Sequence, residues 1–100
     1  MIHDQTSQAK AARESRLQAL QEMSKGLSQI SRALSQGHAR SWVNAAAQIR
    51  ESAVAAGFEN LANRCRQLEE IRDVEHGPIA ARIFEGIAEE FARTQIAVEA

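Results

Sequence analysis

One cysteine, three histidines and a cluster of acidic side chains are the residues of this chain that chemistry would use. Nucleophilic catalysis needs a serine or cysteine held beside a base, but His3, His38 and His76 all fall at helix ends or turns of the predicted fold. Cys65 falls on an apolar stripe, where a cysteine behaves as a small buried hydrophobe. We therefore expect no catalytic residue and predict that Cys65 is an inert packing residue.

The acidic residues do not form a recognisable metal site. Glu69 and Asp73 stand four residues apart on a face expected to be solvated, and the cysteine and histidines lack zinc-ligand spacing. We expect no metal ion and no cofactor. The lone cysteine fits a reducing compartment. Because the chain opens without the layout of a secretory signal and has no apolar run of about eighteen residues, a cytoplasmic location without membrane association is expected.

The charge balance argues against nucleic-acid binding. Twelve basic and thirteen acidic residues give a net charge of -1, without the cationic excess that phosphate-backbone binders use. The charge is nevertheless uneven, at +4 over residues 1–50 and -5 over residues 51–100. We interpret this as basic and acidic helices packed side by side. The alternative is a basic face offered to an acidic partner.

With one proline, five glycines and no tyrosine, the composition predicts helices throughout. The longest pattern lies between Arg13 and Leu34, where large apolar residues recur every three or four positions. They are Leu17, Leu20, Met23, Leu27, Ile30 and Leu34. This first helix should be the longest, and should end at Gly37 in a left-handed turn. Residues 1–12 are polar and are expected to be frayed, ahead of a domain spanning 13–100.

Three shorter helices are predicted to follow. The second has Ser41 as its N-cap and ends at Gly57, and the third runs from Phe58 and continues toward Val74. Gly77-Pro78 starts the fourth, because proline suits the first helical turn. Its inner residues are Ile79, Ile83, Ile87, Phe91 and Val98. Four amphipathic helices joined by short turns predict an all-α fold, an up-down-up-down antiparallel four-helix bundle.

The second helix also carries apolar residues away from its core stripe. At 100° per residue, five side chains fall together opposite Ile49 and Ala53. They are Val43, Ala47, Arg50, Glu51 and Val54. Apolar surface between charged residues is typical of a partner-binding site. The alternative is that an alanine-rich helix exposes scattered apolar residues without a functional reason.

Parts of the chain resemble histidine phosphotransfer (Hpt) domains, the four-helix modules that relay a phosphoryl group between receiver domains in bacterial two-component systems. The run Leu61–Glu69 matches the family's Leu-x-x-x-Cys-x-x-Leu-Glu. Gly57 matches the glycine that follows the acceptor histidine by ten residues, and Leu34–His38 stands for the Gly-Asp element after the first helix. The match spans roughly Leu27 to Ile96.

The resemblance implies that the phospho-acceptor is missing. Ten residues before Gly57 stands Ala47, within the run Ala46–Glu51 that replaces the family's Ala-His-x-Leu-Lys-Gly. Alanine has no nitrogen lone pair to accept a phosphoryl group. Arg50 keeps the positive charge of the family's lysine, whereas Glu51 replaces its glycine and would face the acidic pocket of a receiver.

The function implied by the resemblance is a non-catalytic module that binds the receiver domain of a response regulator, or a histidine kinase. Two alternatives remain open. The chain is an engineered alanine variant of an active domain, or it is a structural or oligomerisation bundle, such as a homodimer paired through the first helix. Because the lysine and glycine positions differ along with the histidine position, we prefer natural loss of the acceptor at Ala47.

Overall fold

The computed structural model describes residues 2–100, with side chains from Gln8 onward. The helices are α1 (Ile2–Gln36), α2 (Ala39–Ala56), α3 (Glu59–Glu69) and α4 (Gly77–Glu99), with a short 3₁₀ turn at Val74–His76. No β-strand occurs within residues 2–100, so the predicted all-α class is confirmed. With 35 residues, α1 is the longest helix, as expected.

The helices pack around one narrow core. Each helix contacts its neighbour in sequence, and α4 packs back onto α1. The largest fully buried side chains are Met23, Ile30, Trp42, Ile49, Leu61, Cys65, Leu68 and Ile87. The molecule measures 57 × 19 × 19 Å. Its length follows from α1, because a helix rises about 1.5 Å per residue.

Two glycine turns of the same geometry join the first three helices. Gly37 and Gly57 have φ angles of 70° and 81°, in the left-handed region that favours glycine. The Phe58 amide donates a hydrogen bond to the carbonyl oxygen of Ala53 at 2.8 Å, and the corresponding bond at the Gly37 turn is 2.9 Å. Both turns are Schellman caps, which satisfy carbonyls at the helix end. The predicted left-handed endings are confirmed.

The start of α2 differs from the prediction. The helix begins at Ala39 with His38 as its N-cap, so Ser41 lies exposed inside the first turn and is not the cap. The reason is local. The Schellman turn at Gly37 reverses the chain so tightly that only His38 separates the glycine from the next helix.

The end of α3 also differs, because the helix stops at Glu69 and does not continue toward Val74. Trp42 is 1% exposed, and its Nε1 donates a hydrogen bond to the carbonyl oxygen of Ile71 at 2.6 Å. A buried indole N–H requires an acceptor. In a longer α3, the carbonyl oxygen of Ile71 would instead accept a hydrogen bond from an amide of the same helix. The bond from Trp42 therefore holds the linker after α3 against α2.

The fourth helix begins at Gly77 with Pro78 in its first turn, as predicted. Ile87 is buried, and three of the other predicted inner residues, Ile83, Phe91 and Val98, are half buried. Ile79 is the exception, since it is 52% exposed. Its prediction as an inner residue is wrong because α3 has already ended before reaching the first turn of α4.

The beginning of α1 lies apart from this core. The predicted polar segment, residues 1–12, falls partly outside the described side chains. The backbone is helical from Ile2, and the side chains from Gln8 to Arg16 are exposed. Near this point the end of α4 meets α1, where Arg13 donates a hydrogen bond to the carbonyl oxygen of Glu99 at 3.0 Å. Across the described helices, none combines the length and apolar character needed to cross a membrane.

Candidate functional site

The five residues proposed as a partner-binding patch lie on one flank of α2. We call this set the α2 flank: Val43, Ala47, Arg50, Glu51 and Val54. Val54 is 52% exposed and Glu51 is exposed, whereas Ala47 is half buried. Val43 packs partly buried against the core, and Arg50 contacts α3. The flank therefore borders α3, and its most accessible part is the pair Glu51 and Val54.

This position corrects the expectation that all five residues lie opposite the core. Only Glu51 and Val54 of the five are exposed, alongside Arg40, Ser41, Asn44, Gln48 and Ala55, whereas Val43, Ala47 and Arg50 are half buried. The difference arises because α2 packs against both α1 and α3. Packing against two neighbours half-buries Val43 and brings Arg50 into contact with Glu69 of α3.

An ion pair joins the flank to α3. The Nε of Arg50 donates a hydrogen bond to Oε2 of Glu69 at 2.7 Å, and the two side chains are 29% and 19% exposed. This hydrogen bond, and then the negative charge of Glu69, raise the pKa of the Arg50 guanidinium. A charge-assisted bond of this kind is stronger than one between neutral groups. The cation of the flank is thus already engaged by a residue of the same chain.

Glu69 was not identified as part of the site from the sequence. The sequence predicts that Glu69 shares a solvated acidic face with Asp73, but the structure separates the two residues. Glu69 is turned toward α2, while Asp73 is exposed and its Oδ2 lies 3.9 Å from Nδ1 of His76. The only sequence signal was the position of Glu69 at the end of the Hpt-like run. A contact between two helices depends on how each is rotated about its axis relative to the other. The periodicity of one helix does not predict that rotation.

Cys65 lies inside the bundle, as predicted. It is 0% exposed, and burial, with a smaller effect of the Glu69 charge, raises the pKa of its thiol to about 12. Only the thiolate is a strong nucleophile. At neutral pH the thiol is therefore protonated and enclosed, which suits packing and not reaction.

The described histidines lie at turns. His38 occupies the N-cap position of α2 without a side-chain capping bond, His76 ends the 3₁₀ turn, and both are exposed. His3 lies outside the described side chains. Among the side chains that the structure describes, no group of three or more His, Cys, Asp or Glu residues is placed to hold a metal ion.

Several open grooves border α1. A groove of about 330 Å³ between α1 and α2 is lined mostly by polar side chains, among them Gln29, Arg32 and His38. A groove of about 590 Å³ between α1 and α4 has Leu17 and Phe91 among its apolar lining residues. Neither groove includes a residue of the α2 flank.

Comparison of the chain with protein-family models, with curated proteins and with solved structures found no match. The chemistry of the α2 flank is therefore the guide to function. Its five side chains include no hydroxyl, thiol or imidazole group. They provide apolar surface from valine and alanine, one compensated arginine and one exposed carboxylate. Such a surface has the composition of a partner-binding site.

Proposed function

We propose that the chain is a non-catalytic signalling module similar to Hpt domains, with its four helices running alternately up and down. It binds the receiver domain of a response regulator, or a histidine kinase, through the α2 flank. It transfers no phosphoryl group and acts by occupancy, competing with functional phosphotransfer proteins for the same partner surface. The proposed setting is the cytoplasm, where the lone thiol of Cys65 stays reduced.

The observation that carries this proposal is the position of Ala47. Its methyl group is half buried on the flank of α2, with Arg50 one turn further along and the left-handed Gly57 closing the helix. An imidazole at this position would be needed for phosphoryl transfer, and a methyl group offers only apolar contact. Binding without transfer is the function that this surface supports best.

The Hpt-like run in α3 supports the proposal through its packing. Leu61, Cys65 and Leu68 are buried, and the final residue, Glu69, bonds to Arg50 of the flank. The run therefore fixes α3 against α2 and determines the shape of the flank.

A binding titration tests the proposal directly. Purified receiver and kinase domains from the same genome are titrated against the chain and against Val54→Asp. We expect saturable binding to at least one domain, and a loss of about tenfold or more in affinity on placing a carboxylate in the apolar contact. Ala55→Asp, a matched change at the neighbouring exposed position, should leave the affinity within about twofold. No affinity for any domain, or equal effects of both variants, contradicts the proposal.

The absence of phosphoryl transfer is tested separately. The chain is mixed with a receiver domain carrying a labelled phosphoryl group, and the acid-labile label on each protein is followed. We expect no label on this chain. Label that reaches it and then moves to an aspartate elsewhere contradicts a non-catalytic role.

The exposed beginning of α1 favours a second candidate, a structural or oligomerisation bundle. The side chains from Gln8 to Arg16 are exposed where α1 passes the end of α4 near Glu99. A dimer in solution that dissociates with Ala12→Glu, and is unaffected by Val54→Asp, would favour this candidate over receiver binding. Light scattering measures the mass in each case.

A further inference from the structure

The charges around the α2 flank determine what kind of partner face it accepts. Resting on the proposed function, we infer that Glu69 is the specificity-determining residue of the flank. By compensating Arg50, it leaves a surface that recognises an apolar, uncharged face of the partner. Binding to a receiver is then independent of whether the receiver carries a phosphoryl group.

The contact geometry supports this assignment. Arg50 is the one basic residue among the five of the flank, and its Nε lies 2.7 Å from Oε2 of Glu69. Both side chains are largely shielded, at 29% and 19% exposed, so water and salt screen the pair less than a fully exposed one. An anionic group of a partner would have to compete with Glu69 for the guanidinium of Arg50.

The other charged side chains near the flank do not supply a replacement cation. The other basic residue of α2, Arg40, is exposed but lies near the start of the helix, about two turns before Ala47 and four turns before Val54. Glu51 is exposed beside Val54 and repels an approaching anion. On α3, Arg66 is directed to its own helix, since its Nη1 donates a hydrogen bond to Oδ1 of Asn63 at 2.5 Å. Glu70, next to Glu69, is exposed and also negative. The charge around the apolar contact therefore disfavours a phosphoryl group.

Glu69→Gln is the variant that isolates the charge. Glutamine keeps an oxygen that accepts the hydrogen bond from Arg50, so the packing of α3 is retained while the negative charge is removed. Arg50 then becomes an uncompensated cation beside Ala47. Glu70→Gln is the matched control, because it removes the same charge from the adjacent exposed residue.

The first experiment uses inorganic phosphate and no partner protein. The Nε–Hε signal of Arg50 is followed by NMR as phosphate is added to the unmodified chain and to both variants. We expect a saturable shift only in Glu69→Gln, with the unmodified chain and Glu70→Gln unchanged. A saturable shift of similar affinity in the unmodified chain, or none in Glu69→Gln, overturns the inference.

The second experiment uses a receiver domain that binds in the titration described above, with and without its phosphoryl group. The unmodified chain should bind both forms within about twofold, whereas Glu69→Gln should prefer the phosphorylated form by about fivefold or more. The inference is overturned if the unmodified chain also prefers the phosphorylated receiver, or if Glu69→Gln binds both forms of the receiver equally.

The outcomes separate the inference from the proposed function. If no receiver or kinase binds, the proposed function fails, while the phosphate titration still decides whether Glu69 masks Arg50. If a receiver binds through Val54 but its phosphoryl group strengthens binding to the unmodified chain, the inference fails and the proposed function stands.

Discussion

Trp42 shows how one buried side chain sets the boundary of a helix to which it does not belong. Its indole N–H reaches across from α2 to the carbonyl oxygen of Ile71, just after the end of α3. The apolar stripe of α3 continues to Ile71 in the sequence, so periodicity alone predicts a longer helix. A contact between residues far apart in the chain decided the outcome.

Replacing the indole should weaken the fold measurably. In Trp42→Phe the Ile71 carbonyl loses its donor, and we expect a loss of about 1–3 kcal/mol in the free energy of unfolding. Urea unfolding followed by far-UV circular dichroism measures it, since the variant has no tryptophan fluorescence. Unchanged stability would show that the hydrogen bond at 2.6 Å contributes nothing net.

Cys65 should make stability fall at high pH. Burial raises the pKa of the folded thiol to about 12, from an ordinary value of 9.0. The folded state therefore holds its proton between these values while the unfolded state loses it, so stability declines as pH rises from about 9 toward 12. Cys65→Ala should unfold with a weaker pH dependence in this range. The prediction is contradicted if the free energy of unfolding falls equally steeply with pH in Cys65→Ala and in the unmodified protein.

At the scale of helices, the close approach of α1 and α2 depends on a small residue that the sequence analysis did not single out. A Cβ added at Gly26 would lie 2.7 Å from Cγ1 of Ile49, which is fully packed in the core. Gly86 in α4 differs, because an added Cβ would meet only the flexible end of Arg64, at 3.0 Å from Nη1.

Two identical substitutions should therefore have opposite effects. Alanine improves helix propensity by about 1 kcal/mol at either position. At Gly26 the overpacking against Ile49 should exceed this gain and give a net loss of about 1 kcal/mol. Gly86→Ala should stabilise the protein by about 0.5–1 kcal/mol, since the Arg64 side chain can move aside. Urea midpoints compare the two, and stabilisation by Gly26→Ala would mean that Ile49 repacks freely.

At the scale of the whole molecule, the features that depend on neighbours in sequence were predictable. Gly37 and Gly57 end helices and Pro78 starts one, because each acts through its own backbone conformation. The core stripes followed from periodicity. The rotation of α2 between its two neighbours, and hence the bond from Arg50 to Glu69, depends on how four helices fit together, and one helix pattern does not contain that information.

Stability should vary along α1. The side chains from Gln8 to Arg16 are exposed, whereas Met23 and Ile30 are buried. Segments that bury little apolar surface open with little free energy. We expect the amides of residues 9–14 to exchange with deuterium much faster than those of residues 23–30, as measured by mass spectrometry. Equal protection of the two segments would indicate that the beginning of α1 is covered in solution.

The shape of the bundle also affects how its size is measured. A body of 57 × 19 × 19 Å is three times as long as it is wide, so it diffuses more slowly than a sphere of 11.0 kDa. A gel-filtration column calibrated with round standards will therefore overstate the mass of a single copy. Only a method that is insensitive to shape, such as sedimentation equilibrium, can count the chains.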